Sequence, residues 1–355
     1  MYVEIIVARL SSNNLIFCVS KECRKTFFFD LTKKEFVIGY ILLEKGICMS
    51  DDEKRELVLE ARESDFKMRN KIGLDENETF GIEIEFENVK LNTIKYGRHW
   101  DVKKDDTVTA YVCGNEVGGE VSSPILKDKK ECWNDIERMC NYLLKKEAII
   151  TPSAGGHIHI GSQVLKNDPN NIRKLLKSWE LFEPVIYSFS SGRDKCLRKC
   201  VNIQAKAVAP TLRRIRNNKK SYNEYRTYCD WIWFFKRYRL MKFSGINFSN
   251  YTGSEEDVGN TIEIRCPNGT IDPAIWQNNI NFFIKFFESC TDNNFDEDYI
   301  DYLLGPKKFS SYIDVNDFEL AMELVDLVFK DRIDKIMFLK QYLKFFNKEK
   351  EYVKK

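Results

Sequence analysis

Three short segments, far apart in this 355-residue chain, alternate polar and apolar side chains in the same way. They are Phe80-Gly-Ile-Glu-Ile-Glu-Phe86, Gly155-Gly-His-Ile-His-Ile-Gly161 and Thr261-Ile-Glu-Ile-Arg265. A β-strand sends residues i and i+2 to one face and the intervening residues to the other. Read as strands, they place Glu83 with Glu85, His157 with His159, and Glu263 with Arg265 on polar faces, while the isoleucines point into a core. A polar face of this kind costs stability unless it binds something. Only three histidines occur in the chain, and two of them form one of these pairs.

Taken singly, each motif has a plainer reading. Glu-x-Glu is commonly a solvated sheet face, and Glu-x-Arg a surface ion pair. Their joint occurrence, each flanked by glycine or tight turns, favours a site. Carboxylates and imidazoles together suit a divalent cation: Mg²⁺ takes oxygen ligands, and Mn²⁺ also accepts a histidine nitrogen. Glu83, Glu85 and Glu263 supply oxygens. Glu120, among the small residues of Gly118-Gly-Glu-Val-Ser-Ser-Pro124, is a further acid open to close approach. Arg265 either pairs with an acid or holds an anion; a guanidinium fork matches the oxygens of phosphate. Arg193, after a helix end, is a second candidate phosphate contact. Cations and an arginine around phosphate form the layout of phosphoryl transfer.

The rest of the chain bounds these readings. A net charge of +2 gives no global pull toward nucleic acid or membrane. No apolar run approaches the roughly 18 residues of a membrane span, and no signal peptide is visible. Eleven irregularly spaced cysteines read as reduced thiols, so a cytoplasmic setting is expected. Residues 187–243 carry 15 Lys and Arg against 3 Asp and Glu, interleaved with aromatics. Such a segment can bind nucleic acid or line a site for triphosphate and acidic substrate.

Strands are expected at Val3–Leu10, Asn14–Val19 and Thr26–Phe29, and a strand or short helix at Phe36–Leu43. Helices are expected from Asp51 to about Met68, at about Lys130–Glu147, Asn171–Ser190, Ser221–Phe235 and Ala274–Cys290, and at about 315–330 and 332–349, with a loop over 196–220. Strands and helices mix without a βαβ rhythm, which favours an α+β architecture. Three regions are expected: an extension over 1–72, a catalytic domain over 73–290, and C-terminal helices over 291–355.

The ordered set of Phe-Gly-Ile-Glu-Ile-Glu-Phe, Trp100 with Asp105-Asp-Thr, Gly-Glu-Val-Ser-Ser-Pro, Gly-Gly-His-Ile-His-Ile-Gly and Thr-Ile-Glu-Ile-Arg resembles the amidoligase family. That family is related to glutamine synthetase and glutamate–cysteine ligase. The resemblance spans about residues 79–290. It implies a glutamine-synthetase-like fold: a curved, mainly antiparallel sheet with helices on its convex side, and two or three Mg²⁺ or Mn²⁺ ions and ATP on its concave face. By similarity, Glu83, Glu85, Glu120, His157 and Glu263 match metal ligands, Arg265 the phosphate arginine, and His159 a neighbouring or substrate contact. Asp106 matches the acid after the tryptophan, and Asn247 an asparagine of such sites. The implied reaction is ATP-dependent amide formation through an acyl phosphate, with small-molecule or peptide carboxylates and amines as substrates, a protein substrate being also open. The basic stretch 196–220 is a candidate lid. Gly119, and Cys266-Pro267 after Arg265, depart from the family pattern without removing a ligand. Glutamine synthetase forms rings, but its N-terminal domain is not recognisable here, so a monomer or dimer is expected. Two rivals stand beside it: a phosphotransferase on the same fold, and a catalytically silent protein that uses the basic 187–243 segment to hold nucleic acid.

Overall fold

The computed structural model describes residues 15–19, 26–30, 35–39, 49–97, 99–192, 194, 201–217, 222–254, 257, 259–305 and 318–345. The strand expected at Val3–Leu10 lies outside them, as does Arg193. The chain divides into two compact units, Met1–Ser50 and Asp51–Lys355. The first contains a three-stranded antiparallel meander of β1 (Leu15–Val19), β2 (Thr26–Asp30) and β3 (Glu35–Gly39). Leu15 pairs with Asp30 and Thr26 with Gly39.

The larger unit begins with helix α1 (Asp51–Glu63), whose first turn is acidic. Its sheet has seven strands: β4 (Phe80–Lys90), β5 (Asp101–Lys103), β6 (Ala110–Val112), β7 (Asn115–Ser122), β8 (Gly156–Gly161), β9 (Ile246–Asn247) and β10 (Thr261–Ile264). Their order is β5-β7-β4-β8-β10-β9, with β6 also on β7, and every pairing is antiparallel. The architecture is α+β with a mostly antiparallel sheet, but the curved glutamine-synthetase-like sheet expected from the resemblance is not formed. Among the described residues the order runs between two edges, β5 and β9, and does not curl round on itself. Its outer strands give the reason: β5 has three residues and β9 two, too short a ladder to carry the sheet further.

Alternation divides the sheet into two chemical faces. Ile82, Ile84, Val121, Ile158, Ile160, Ile262 and Ile264 are all fully buried on one of them. Helices cover that face. Trp133 of α2 (Lys130–Lys145) stacks on Phe80 at 5.1 Å, and Trp276 of α7 (Pro273–Ser289) lies against Gly156. Between these helices in sequence, α3 (Pro169–Ser190) starts on an Asp168 cap that accepts from Asn170 N, and runs unbroken through Pro184. The C-terminal helices are α8 (Glu297–Leu304), α9 (Phe318–Val328) and α10 (Arg332–Tyr342). Phe338 of α10 stacks on Phe189 at 4.6 Å and meets Phe282 at 4.9 Å, joining three helices in one aromatic core. Among the described residues, no helix is long and apolar enough to cross a membrane.

Residues 196–220, expected as a loop and candidate lid, contain α4 (Val201–Gln204) and α5 (Ala209–Asn217). Leu212 and Ile215 bury one side of α5. The fully buried Glu183 of α3 caps its start, accepting from Val208 N at 2.7 Å and Ala209 N at 2.8 Å. A helix end satisfied in this way is anchored, so α5 is part of the scaffold rather than a free lid. Residues 196–200 and 218–220 of that stretch lie outside the described ones. The next helix, α6 (Tyr228–Tyr238), has a Thr227/Asp230 capping box, and its Trp231, Phe234 and Phe235 are buried. Most aromatics of the basic segment are therefore core. Trp233 is half exposed, with the Arg237 guanidinium 4.9 Å above its ring.

Candidate active site

The register of the sheet brings the three alternating motifs side by side. Glu83 faces His157 across β4 and β8, while Glu85 faces Glu120 across β4 and β7. Glu263 stands between His159 and Asn247 across β8, β10 and β9. Directly opposed residues in antiparallel strands lie about 4.5–5.5 Å apart, so His159 and Glu263, 104 positions apart in sequence, become neighbours.

Glu83 is at the centre. Its Oε2 lies 2.9 Å from His157 Nδ1, and its Oε1 is 3.2 Å from His159 Nε2. Glu85 accepts from Gly155 N at 2.6 Å, and its other oxygen is 3.4 Å from His157 Nε2. The Nε2 atoms of both histidines approach carboxylates without hydrogen-bond geometry, and both are buried with no hydrogen-bond partner. Glu263 forms an ion pair with Arg265 and accepts from Asn247 Nδ2 at 2.5 Å. Arg265 Nε also donates to Gln204 O at 3.2 Å, tying this end of the face to α4.

At the other end, Glu120 accepts from Ser122 Oγ at 2.8 Å, and Lys103 Nζ donates to Ser122 Oγ at 3.1 Å. The glycines before Glu120 are needed here. Gly118 has φ +84°, and a Cβ on Gly119 would sit 2.6 Å from Lys103 O. The second glycine that departs from the family pattern thus lets β5 approach β7.

The electrostatics are those of a face short of positive charge. Burial pushes the Glu83 carboxyl up, but the hydrogen bond with His157 and the close approach of the His159 ring outweigh it and hold it far below the usual range. Burial, followed by the nearby Glu83 charge, pushes Glu120 up to about 7. Burial alone would lower His159, yet the Glu83 carboxylate 3.2 Å away and the charges of Glu263 and Glu120 leave it raised.

Three overlapping groups offer donor atoms within 4.8 Å of one another: Glu83, His159 and Glu263; Glu83, Glu120 and His157; and Glu85, Asp105 and Glu120. Oxygen and imidazole donors, with two buried ring nitrogens lacking hydrogen bonds, fit a divalent cation. The structure brings together Glu83, Glu85, Glu120, His157, His159, Glu263, Arg265 and Asn247. It does not bring in Asp106, whose side chain is 91% exposed and lies 3.4 Å from Lys104 Nζ. Its neighbour Asp105 is the acid near Glu85 and Glu120. Asp105 accepts from Thr107 N at 2.7 Å, an Asx turn that the Asp-x-Thr order could have signalled. Lys103 was also missed, because its strand is short and largely exposed.

A family model described as "Putative amidoligase enzyme" matches residues 76–287, a span that includes every residue of this face. No curated protein matches the chain. With the match covering more than half of its length, the chain belongs to this amidoligase family of enzymes.

Proposed function

We propose that the chain is an ATP- and divalent-metal-dependent ligase that joins a carboxylate to an amine through an acyl phosphate. One observation carries the reading: a continuous row of carboxylates and imidazoles on one sheet face, with Arg265 at one end and Lys103 at the other. Three donor groups support two or three Mg²⁺ or Mn²⁺ ions, held by Glu83, Glu85, Asp105, Glu120, His157, His159 and Glu263. Bound there, the ions supply charge neutralisation for the transferring phosphoryl group.

The substrate carboxylate oxygen attacks the γ-phosphorus and the bond to ADP breaks. The amine nitrogen then attacks the acyl carbon, phosphate leaves, and the amine gives up a proton. Arg265, held by Glu263 and Gln204, is the proposed cationic contact of the phosphate oxygens. Asn247 acts through Glu263, which it orients. The amine proton passes to solvent, since His159, 3.2 Å from Glu83, is taken up as a donor of the row. The proposed substrates are small or peptide carboxylates and amines, a protein substrate included, in the cytoplasm. Nucleic acid is not favoured as a partner, because Trp231, Phe234 and Phe235 are committed to the core.

The test is ADP release with Mg²⁺ or Mn²⁺ across a panel of carboxylates and amines, beside a Glu83→Gln control. Release that needs both substrates and is lost in the control is expected. Release with a carboxylate but no amine dependence would favour the phosphotransferase instead.

A further inference from the structure

The Arg265 side chain is held from two different elements. Glu263, two residues earlier in sequence, pairs with its guanidinium, and the main-chain carbonyl of Gln204 accepts from its Nε at 3.2 Å. Contacts at two edges of a planar group fix its plane, so the direction of the Arg265 fork depends on where the Gln204 carbonyl stands. Gln204 is the last residue of α4, a helix of four residues. A single turn has no cooperativity with which to hold itself, so its position must be set from outside.

Helix α3 sets it. Tyr187 is fully buried there, and its hydroxyl donates at 2.6 Å to Ala205 O, the carbonyl next after that of Gln204. Glu183, one turn earlier on α3, accepts from Val208 N and Ala209 N of the same segment. The Tyr187 hydroxyl also lies against Gly245, where a Cβ would fall 2.2 Å from its oxygen, so only glycine admits it. Gly245 in turn accepts from Arg265 N at 2.9 Å and donates to Lys206 O at 2.8 Å, while Lys206 N donates to Phe243 O at 2.7 Å. The hydroxyl therefore stands where the segment that holds the Arg265 side chain meets the segment that holds its main chain. A buried carbonyl that loses such a donor is left unsatisfied, and its segment shifts to find another.

We propose that Tyr187 is a positioning residue of the site. Through Ala205 and Gly245 it fixes the Gln204 carbonyl, and through that carbonyl it aims the Arg265 guanidinium at phosphate. The inference rests on the reading of Arg265 as a phosphate contact, and its test needs no turnover.

The experiment measures, by calorimetry on the full chain with Mg²⁺, the binding of β,γ-imido-ATP and of ADP, beside a thermal melt of each variant. The readout is selectivity, the ratio of the two affinities, which a general loosening of the fold does not move. Tyr187→Phe keeps the ring and removes the hydroxyl. It is expected to weaken imido-ATP about tenfold and leave ADP unchanged, the loss of one charge-assisted contact. Gly245→Ala, which displaces the hydroxyl from its other side, is expected to give the same selective loss. Tyr222→Phe is the control: it deletes another buried hydroxyl, one that donates to Leu212 O of α5 at 3.2 Å, and is expected to lower the melting temperature without changing selectivity. Arg265→Lys keeps a charge beside Glu263 but has no Nε, so in that background Tyr187→Phe is expected to add no further loss. Wild-type selectivity in Tyr187→Phe or Gly245→Ala, an equal loss for both nucleotides, the same selective loss in Tyr222→Phe, or losses that multiply in the double variant would each overturn the proposal. If Arg265→Lys alone lowers selectivity, those outcomes leave the phosphate reading of Arg265 intact. Unchanged selectivity in Arg265→Lys would overturn that reading and the proposal with it.

Discussion

Divalent cations should raise the melting temperature of this protein by an amount that its size fixes in advance. Unfolding entropy near the transition is about 2.1 cal/mol/K per residue, so the larger unit, about 305 residues, unfolds with roughly 0.64 kcal/mol/K. An ion present at a hundred times its dissociation constant stabilises the folded state by about 2.7 kcal/mol. Each filled cluster should then add about 4 °C. Glu83 belongs to two of the three donor groups, so Glu83→Gln leaves only the Glu85, Asp105 and Glu120 group complete. The assay is a thermal melt with Mn²⁺ or Mg²⁺ at constant ionic strength, each variant referred to its own baseline in EDTA. That reference cancels whatever the substitution does to the cation-free fold. Wild type is expected to shift by one increment per ion, and Glu83→Gln by a single increment at most. An equal shift in both chains, or none in wild type at millimolar cation, would refute the assignment of these acids as ligands.

Other outcomes follow from single contacts. Asp105→Asn should weaken Mn²⁺ binding, read by electron paramagnetic resonance, by about tenfold or more, while Asp106→Asn leaves it unchanged; the reverse pattern would restore Asp106 to the site. Burial pushes Glu183 from its ordinary 4.5 up to about 7, against the hydrogen bonds from Val208, Ala209 and Trp179. Its protonated form therefore stabilises the fold fully below pH 4.5, and that contribution, about 3 kcal/mol, is lost as pH rises through 7. Glu183→Gln should remove this slope, gaining on wild type in urea melts between pH 4.5 and 8; parallel curves would show that Glu183 is ionised throughout. Gly156→Ala would place a Cβ 2.8 Å from both Asn268 O and the Trp276 ring. It should cost about 1–3 kcal/mol, and an unchanged urea midpoint would mean that α7 yields without strain.

The strands that carry the site were legible because alternation is a local property. Glu83, Glu85, His157, His159 and Glu263 each sit two residues from another polar side chain of their motif, and the period of two puts them on one face whatever the sheet does globally. Closure is not local. Whether the outer strands meet depends on how far β5 and β9 extend, and no periodicity in three residues or two reports it. Asp106, matched by the resemblance, and Asp105, which the structure sets near Glu85 and Glu120, both lie in a turn, where alternation has no meaning and a side-chain hydrogen bond decides which acid turns inward. The helix over Ala209–Asn217 was hidden by its composition. Its Arg213, Arg214 and Arg216 read as a basic loop, and what fixes it is a buried carboxylate 26 residues away in sequence from the N–H it caps.

Glu83 and Glu120 each serve two of the three donor groups, and a carboxylate has only two oxygens. The clusters are therefore one electrical object rather than three. A cation settling between Glu83, Glu120 and His157 draws on the negative charge that both outer positions would use, so each later ion meets a weaker attraction and a nearer repulsion. Loading should be graded, with a tight central ion and looser flanking ones. The protein would then respond to the free concentration of divalent cation over a broad range instead of switching at one threshold.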